Sequence, residues 1–246
     1  MENWMLCILS KTHIMLTRFV IILSIFLISC HHNKSENLQH QLEQGSVITD
    51  KRTYDELKHD IAEKRKEYSK AGMSAINITQ VKDFWIKTVG MDLYNKWQGT
   101  PWDFNGTTEI PQKGYIACGY FVTTILDHMD CKISRVKLAV CPSLQMMKSL
   151  SAHQAITNLS YLDHTAVNNY FKKQGKGVYI IGLDFHTGII VNDGTEIWFL
   201  HSNYIRRQGV VKETVLSSGA LKSSKTKWVT SLTGNEYFLQ KWLKGN

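Results

Sequence analysis

The sequence predicts an α+β domain in which helices come first and an antiparallel sheet follows. Three observations support this prediction. Apolar residues recur at helical spacing between residues 52 and 129. Short runs rich in β-branched and aromatic residues, bounded by turn residues, fill the chain from residue 178 to 232. The two kinds of element are separated rather than alternating, which is the pattern of an α+β fold.

Three helices are predicted in the first half of the chain. The first, residues 52–69, is charged and has only a narrow apolar stripe, whereas the second, residues 77–97, should face the core. The loop GTPWDFNGTTEIPQKG, which glycine and proline punctuate, then leads into the third helix. Loops of this length usually carry function. The third helix, residues 116–129, begins at or next to Cys118.

The second half of the chain supplies the predicted sheet. A short strand at 136–140 and two helices at 143–151 and 163–173 precede it. Asn192-Asp193-Gly194 is a hairpin signal between two of the later strands. A helix at 236–243 closes the domain. We therefore expect a sheet of about five strands, at residues 178–183, 186–191, 196–201, 209–215 and 227–232.

The N-terminus has the pattern of an export signal. The stretch TRFVIILSIFLISC has an apolar segment shorter than the roughly 20 residues that span a bilayer. Leu27-Ile28-Ser29-Cys30 resembles the bacterial lipobox, which implies cleavage after residue 29 and lipidation of Cys30. Residues 1–14 lack a basic signal region, so Met15 is a candidate start. An uncleaved signal anchor is the open alternative.

These features predict the organisation and location of the chain. We expect a signal peptide at 1–29, a lipid anchor and polar tether at 30–50, an N-terminal helical segment at 51–76 and the main domain at 77–246. The expected location is the bacterial cell envelope, with the lipid in the outer membrane and the domain facing the periplasm. The net charge of +8 suits anionic surroundings such as cell wall or lipid headgroups. The sequence has no basic run interleaved with aromatic residues, so we do not expect a nucleic-acid partner.

An odd number of cysteines remains beyond the signal region. Cys131 and Cys141 could pair in an oxidising compartment and leave Cys118 as the free thiol, and this pairing is left open. Cys118, His186 and His201 do not have the CxxC or HxxxH spacing of zinc ligands, so we do not expect a metal site.

A helix-start cysteine followed by two strand histidines predicts nucleophilic catalysis. The positive end of the helix dipole favours the thiolate of Cys118, and its small neighbour Gly119 would let a substrate carbonyl approach. His186 opens one strand and His201 ends the next, so a hairpin would place them side by side at one edge. His186 would accept the thiol proton, and His201 would orient the His186 ring. His128, His153 and His164 have no such partners and are expected at the surface or at helix caps.

Four segments, GTPWDFNG, ACGYFV, HTGIIV and the histidine of FLHSN, resemble the NlpC-type cell-wall peptidases, a branch of the papain-like cysteine peptidases. The resemblance covers about residues 97–215. It implies a papain-like fold and a catalytic triad of Cys118, His186 and His201. The implied reaction is cleavage of amide bonds in peptidoglycan stem peptides through an acyl-enzyme, by a monomer that needs no cofactor.

The loop before the cysteine lies beside the presumed cleft and offers candidate substrate contacts. Trp102 stands where the family has a tyrosine, and Asp103 and Asn105 follow it. Together with Gly119 they are the candidate substrate-binding residues. Two other functions stay open. One is a non-catalytic wall-binding lipoprotein that keeps the fold, and the other is an amidase or acyltransferase with a different substrate.

Overall fold

The structure is a computed structural model that describes residues 50–151 and 155–246. The predicted signal peptide, Met15, the lipidation site Cys30 and the tether up to residue 49 lie outside the described residues, as does His153. Among the described residues, no helix combines the length and the apolar character needed to cross a membrane.

The α+β class is confirmed, with an open antiparallel sheet of six strands. The strands pair in the order β1-β6-β2-β3-β4-β5. They are β1 (Ile156–Asn158), β2 (Gly177–Gly182), β3 (Thr187–Asn192), β4 (Ile197–Asn203), β5 (Gly209–Thr214) and β6 (Trp228–Ser231). The α-helices are α1 (Tyr54–Ala71), α2 (Ala75–Lys87), α3 (Tyr94–Trp97), α4 (Cys118–His128), α5 (Arg135–Ala139), α6 (Ser143–Leu150), α7 (His164–Gln174), α8 (Gly219–Ser223) and α9 (Glu236–Lys244).

The central strands are buried on both faces, which explains their continuous apolar runs. Along β2, Val178 and Ile180 join the larger apolar cluster, whereas Tyr179 and Ile181 join a second cluster on the opposite side. The larger cluster takes residues from α1, α2, α4, α6 and α9. The second takes residues from α7 and α8. The sheet is therefore the middle layer of the domain.

The first helix belongs to the same compact unit as the sheet, which extends from Arg52 to Asn246. Thr53 and Glu56 form a capping box that starts α1, and Leu57 and Ile61 are buried in the larger cluster. Helix α2 continues through a π-helical segment, Thr88–Leu93, into α3. The ammonium group of Lys212 on β5 donates a hydrogen bond to the carbonyl of Gly90 within that segment.

The predicted strand at 136–140 is wrong, because these residues form α5. Val136 and Val140 lie one helical turn apart and are exposed, so the apolar alternation does not mark burial in a sheet. The sixth strand is β1, which pairs with β6 from Ile156 to Asn158. This strand has only three residues and none of them is fully buried, so it gives no recognisable pattern in the sequence. Cys118, Cys131 and Cys141 are all free thiols in the structure, so no bond joins Cys131 to Cys141.

The prediction that His128 lies at the surface or at a helix cap is also wrong. His128 ends α4 and is buried, with 8% of its surface exposed. Trp97 Nε1–H donates to the Tyr54 oxygen at 2.5 Å, and the Tyr54 hydroxyl lies 2.6 Å from His128 Nδ1. The hydroxyl donates to a neutral imidazole in this arrangement. Burial lowers the pKa of His128 from 6.5 to about 4.

This histidine makes stability depend on pH. Between pH 6.5 and about 4 the unfolded chain binds a proton that the folded His128 does not. The free energy of unfolding should therefore fall by about 2 to 3 kcal/mol as the pH drops through this window. In His128→Asn, which keeps an acceptor for Tyr54 but does not titrate, the fall should be smaller by that amount. Denaturant unfolding at pH 7 and pH 4.5 measures both, and an unchanged pH dependence in the variant would contradict the assignment.

Candidate active site

Cys118 is the first residue of α4, and the preceding loop fixes its position. Ala117 is the N-cap residue and its N–H donates to the Gly106 carbonyl at 2.8 Å. The Ile116 N–H donates to the Pro101 carbonyl at 2.9 Å, and the Ser202 hydroxyl on β4 donates to the Ile116 carbonyl at 2.6 Å. The helix start is thereby tied to both the long loop and the sheet.

Cys118 is half-buried, and this position disfavours the negatively charged thiolate form of its side chain. Burial raises the pKa of the thiol, although hydrogen bonds from the backbone N–H groups of Thr187, Gly119 and Cys118 partly offset the rise. The helix dipole that should favour thiolate is therefore outweighed by desolvation. At neutral pH Cys118 is therefore a neutral thiol.

The two predicted histidines lie side by side, as the hairpin signal indicates. His186 Nε2 is 2.7 Å from His201 Nδ1, and both rings are buried. The third member of the chain is Glu213 on β5, whose carboxylate oxygen is 3.1 Å from His201 Nε2. The β4–β5 register pairs His201 with Val211 and Phe199 with Glu213, so Glu213 reaches His201 on the diagonal. We call His186, His201 and Glu213 the relay.

Glu213 fixes the tautomers of the relay. An ionised carboxylate can only accept, so His201 Nε2 carries a hydrogen and donates it. Nδ1 of His201 is then an acceptor, and His186 Nε2–H donates to it. This leaves Nδ1 of His186 with a free lone pair, and that atom is buried without a hydrogen-bond partner among the described residues. The relay therefore presents a proton acceptor.

The charge state of the relay follows from burial. Burial lowers the pKa of His186 well below its ordinary value, and the neighbouring His201 lowers it further. Burial also lowers the pKa of His201, against the opposing effect of Glu213. Partial burial tends to raise the pKa of Glu213, but hydrogen bonds from His201 and Ser218 bring it below its usual range. At neutral pH the relay thus holds one negative charge and two neutral rings.

Cys118 and His186 line the same cleft. Thr187, whose backbone N–H donates a hydrogen bond to the sulfur, follows His186 directly in the chain. In the part of the chain that the structure describes, no hydrogen bond joins the sulfur to either nitrogen of His186. Catalytic hydrogen bonds are often long in unliganded enzymes and tighten when substrate binds.

The rings of the relay are held by packing. His201 is fully buried and stacks on Phe199, with ring centroids 4.1 Å apart. Tyr204 packs edge-on against His186 at 5.1 Å. Gly188 lies beside the stacked His201 and Phe199 rings, and a side chain at this position would collide with Phe199 and with the His201 Cβ atom. The glycine of HTGIIV is therefore needed to seat His201.

Three of the four predicted substrate-binding residues lie away from the cleft. The Trp102 ring packs at a tilted angle against Tyr204, with centroids 6.5 Å apart, and Tyr204 in turn packs against His186. Asp103 and Asn105 line a separate shallow depression. Asp103 accepts the Asn105 N–H at 2.9 Å, which is a turn-forming contact, and pairs with Arg207 at 2.8 Å.

Gly119 does line the cleft, but packing also accounts for its identity. A Cβ atom at this position would collide with the carbonyl oxygen of Ala139. The glycine lets the α5 backbone approach the start of α4. It also keeps that side of the sulfur free of side-chain atoms.

Glu213 is the functional candidate that the sequence did not reveal. It falls within the predicted strand 209–215, where a charged residue on an outer strand has no special meaning. Only the register of β5 on β4 shows that its side chain reaches His201.

Across residues 50–151 and 155–246, no group of three or more His, Cys, Asp or Glu side chains is arranged to hold a metal ion. No family model, curated protein or solved structure matches the chain.

Proposed function

We propose that this protein is a cysteine peptidase or amidase in which Cys118 is the nucleophile and His186 the general base. The observation that carries the proposal is the bare, buried Nδ1 of His186, which the relay orients and which shares a cleft with a cysteine at a helix N-terminus. The helix that bears this cysteine packs on an antiparallel sheet, which supports the papain-like fold implied by the resemblance.

The neutral resting groups define the first step. The Cys118 S–H gives its proton to Nδ1 of His186 as the sulfur attacks the carbonyl carbon, and the Cys118 N–H at the helix start stabilises the oxyanion. Glu213, through His201, stabilises the imidazolium that forms. His186 then protonates the leaving amine, and water hydrolyses the thioester. No step in this scheme requires a cofactor.

The proposed substrates are peptidoglycan stem peptides, and the proposed setting is the periplasmic side of a bacterial envelope. The support comes from the sequence: the resemblance of the four segments, the lipobox-like Leu27-Ile28-Ser29-Cys30 and the basic charge. A lipid anchor of this kind would hold the domain next to the cell wall.

The test is to incubate the full-length protein and its Cys118→Ala variant with purified peptidoglycan fragments and to identify the products by mass spectrometry. We expect shortened stem peptides from the wild type alone, and the masses would name the bond that is cut. Equal product formation by both proteins would refute Cys118 as the nucleophile. Intact fragments from a wild type whose Cys118 is still acylated by an activated ester such as p-nitrophenyl butanoate would refute the substrate but not the reaction.

A wall-binding lipoprotein without activity is the second candidate. The raised pKa of Cys118 and the lack of a hydrogen bond between its sulfur and His186 favour it. The same incubation separates the two functions, because a binding protein would retain the fragments and leave them intact.

A further inference from the structure

The cleft beside Cys118 has a polarity that selects among substrates. Its volume is about 310 Å³, which is at the small end of the range for ligand pockets. Among the residues that the structure describes, no lysine or arginine lines it. Beyond the catalytic pair its walls are largely apolar and include Pro142, Leu144, Met146, Leu183, Phe185 and Trp228.

Of the described residues in this lining, only Asp184 carries a full charge, and hydrogen bonds hold it ionised. Its two carboxylate oxygens accept the N–H groups of Lys225 and Thr226 at 2.8 and 2.7 Å. Hydrogen bonds from Thr226 first, and then from Lys225, lower the pKa of Asp184 to about 2. A permanent negative charge with no cation in the lining disfavours a carboxylate in this cleft.

Phe185 extends the apolar surface outward. It precedes His186 and is 97% exposed, although it belongs to the cleft lining. An aromatic side chain that is free at the mouth of a cleft offers a large contact area to a bound molecule.

The opposite flank of His186 differs in polarity. There Tyr204 leads to Trp102, and the guanidinium of Arg207 lies 5.7 Å from the Trp102 ring while it pairs with Asp103. The two sides of the candidate base therefore differ: one is largely apolar and carries the carboxylate of Asp184, and the other carries the Arg207–Asp103 ion pair.

We infer that the cleft binds an uncharged, apolar group attached to the carbonyl that Cys118 attacks. This inference rests on the proposed function.

Two p-nitrophenyl esters matched in chain length test the inference, the butanoate and the hemisuccinate. In each, the sulfur attacks the ester carbonyl, the bond to p-nitrophenolate breaks, and the thiol proton passes to His186. The rate of p-nitrophenolate release, minus that of Cys118→Ala, should be at least about tenfold higher for the butanoate. Equal rates, or a faster hemisuccinate, would overturn the inference.

A charge variant locates the preference. Phe185→Lys places a cation at the mouth of the cleft and should raise the hemisuccinate rate relative to the butanoate rate by about tenfold. Tyr161→Lys is the matched control, because Tyr161 is an aromatic residue that is 79% exposed and does not line the cleft. An unchanged ratio in Phe185→Lys, or the same change in both variants, would count against the cleft.

Binding separates this inference from the proposed function. In Cys118→Ala, the indole N–H resonance of Trp228 should shift on titration with butanamide and not with succinamate. If neither ester reacts but butanamide alone binds, the catalytic proposal fails and the cleft preference stands. If the esters react and both amides bind equally, the catalytic proposal stands and the cleft preference fails.

Discussion

Replacing Cys118 with alanine is expected to lower turnover by at least about 10³-fold, because the proposed thioester forms on its sulfur. Cys141 is a second thiol in the cleft lining, but it does not start a helix and its S–H donates to the Leu138 carbonyl at 3.3 Å. The free energy of unfolding should change by less than about 1 kcal/mol, since the side chain is small, half-buried and at the first position of α4. Hydrolysis of stem peptides or of the butanoate ester measures the first effect, and denaturant unfolding measures the second.

Cys131→Ala is the matched control for this experiment. Cys131 is also a free thiol but does not line the cleft, so its loss should leave turnover within about twofold. Wild-type turnover in Cys118→Ala would contradict the mechanism. An equal loss in both variants would indicate that the cysteines matter for folding alone.

Replacing Glu213 with glutamine is expected to lower kcat by about 10- to 10³-fold while KM changes little. The amide can donate to His201 Nε2, which reverses both tautomers and puts a hydrogen on Nδ1 of His186. The variant also loses the negative charge that stabilises the imidazolium.

In the wild type, the acid limb of kcat/KM should lie below pH 6.5, because burial lowers the pKa of His186 and keeps the base neutral in mildly acidic solution.

Two companion variants test this role of Glu213. Glu213→Asp keeps the charge and should recover part of the rate, whereas a purely space-filling role would predict no recovery. Glu236→Gln makes the same chemical change at an exposed position on α9 and should have no effect. A wild-type kcat in Glu213→Gln, or an acid limb of the wild type at or above pH 6.5, would contradict the relay.

The parts of the site that local patterns encode could be predicted from the sequence. The apolar residues that follow Cys118 repeat at helical spacing, which predicts the helix α4 that begins there. The turn from Asn192 to Gly194 predicts the hairpin that brings His186 next to His201. Hydrophobic periodicity and turn residues involve only a few neighbouring positions, so both can be recognised from the sequence without knowing the fold.

The parts that depend on tertiary contacts could not be predicted. Glu213 joins His201 through the register of an outer strand, and Trp102 is turned away from the cleft by its contacts with Tyr204 and Arg207. The ionisation of Cys118 also depends on burial, which outweighs the helix dipole. Each of these outcomes requires knowing which distant residues surround a side chain.

The most direct measurement is to quench the full-length protein in acid within the first turnover of p-nitrophenyl butanoate and to map the acyl group by mass spectrometry. The mechanism predicts one butanoyl group on Cys118, formed far more slowly in His186→Ala. A butanoyl group on another residue, or acylation of Cys118 at an equal rate without His186, would contradict it.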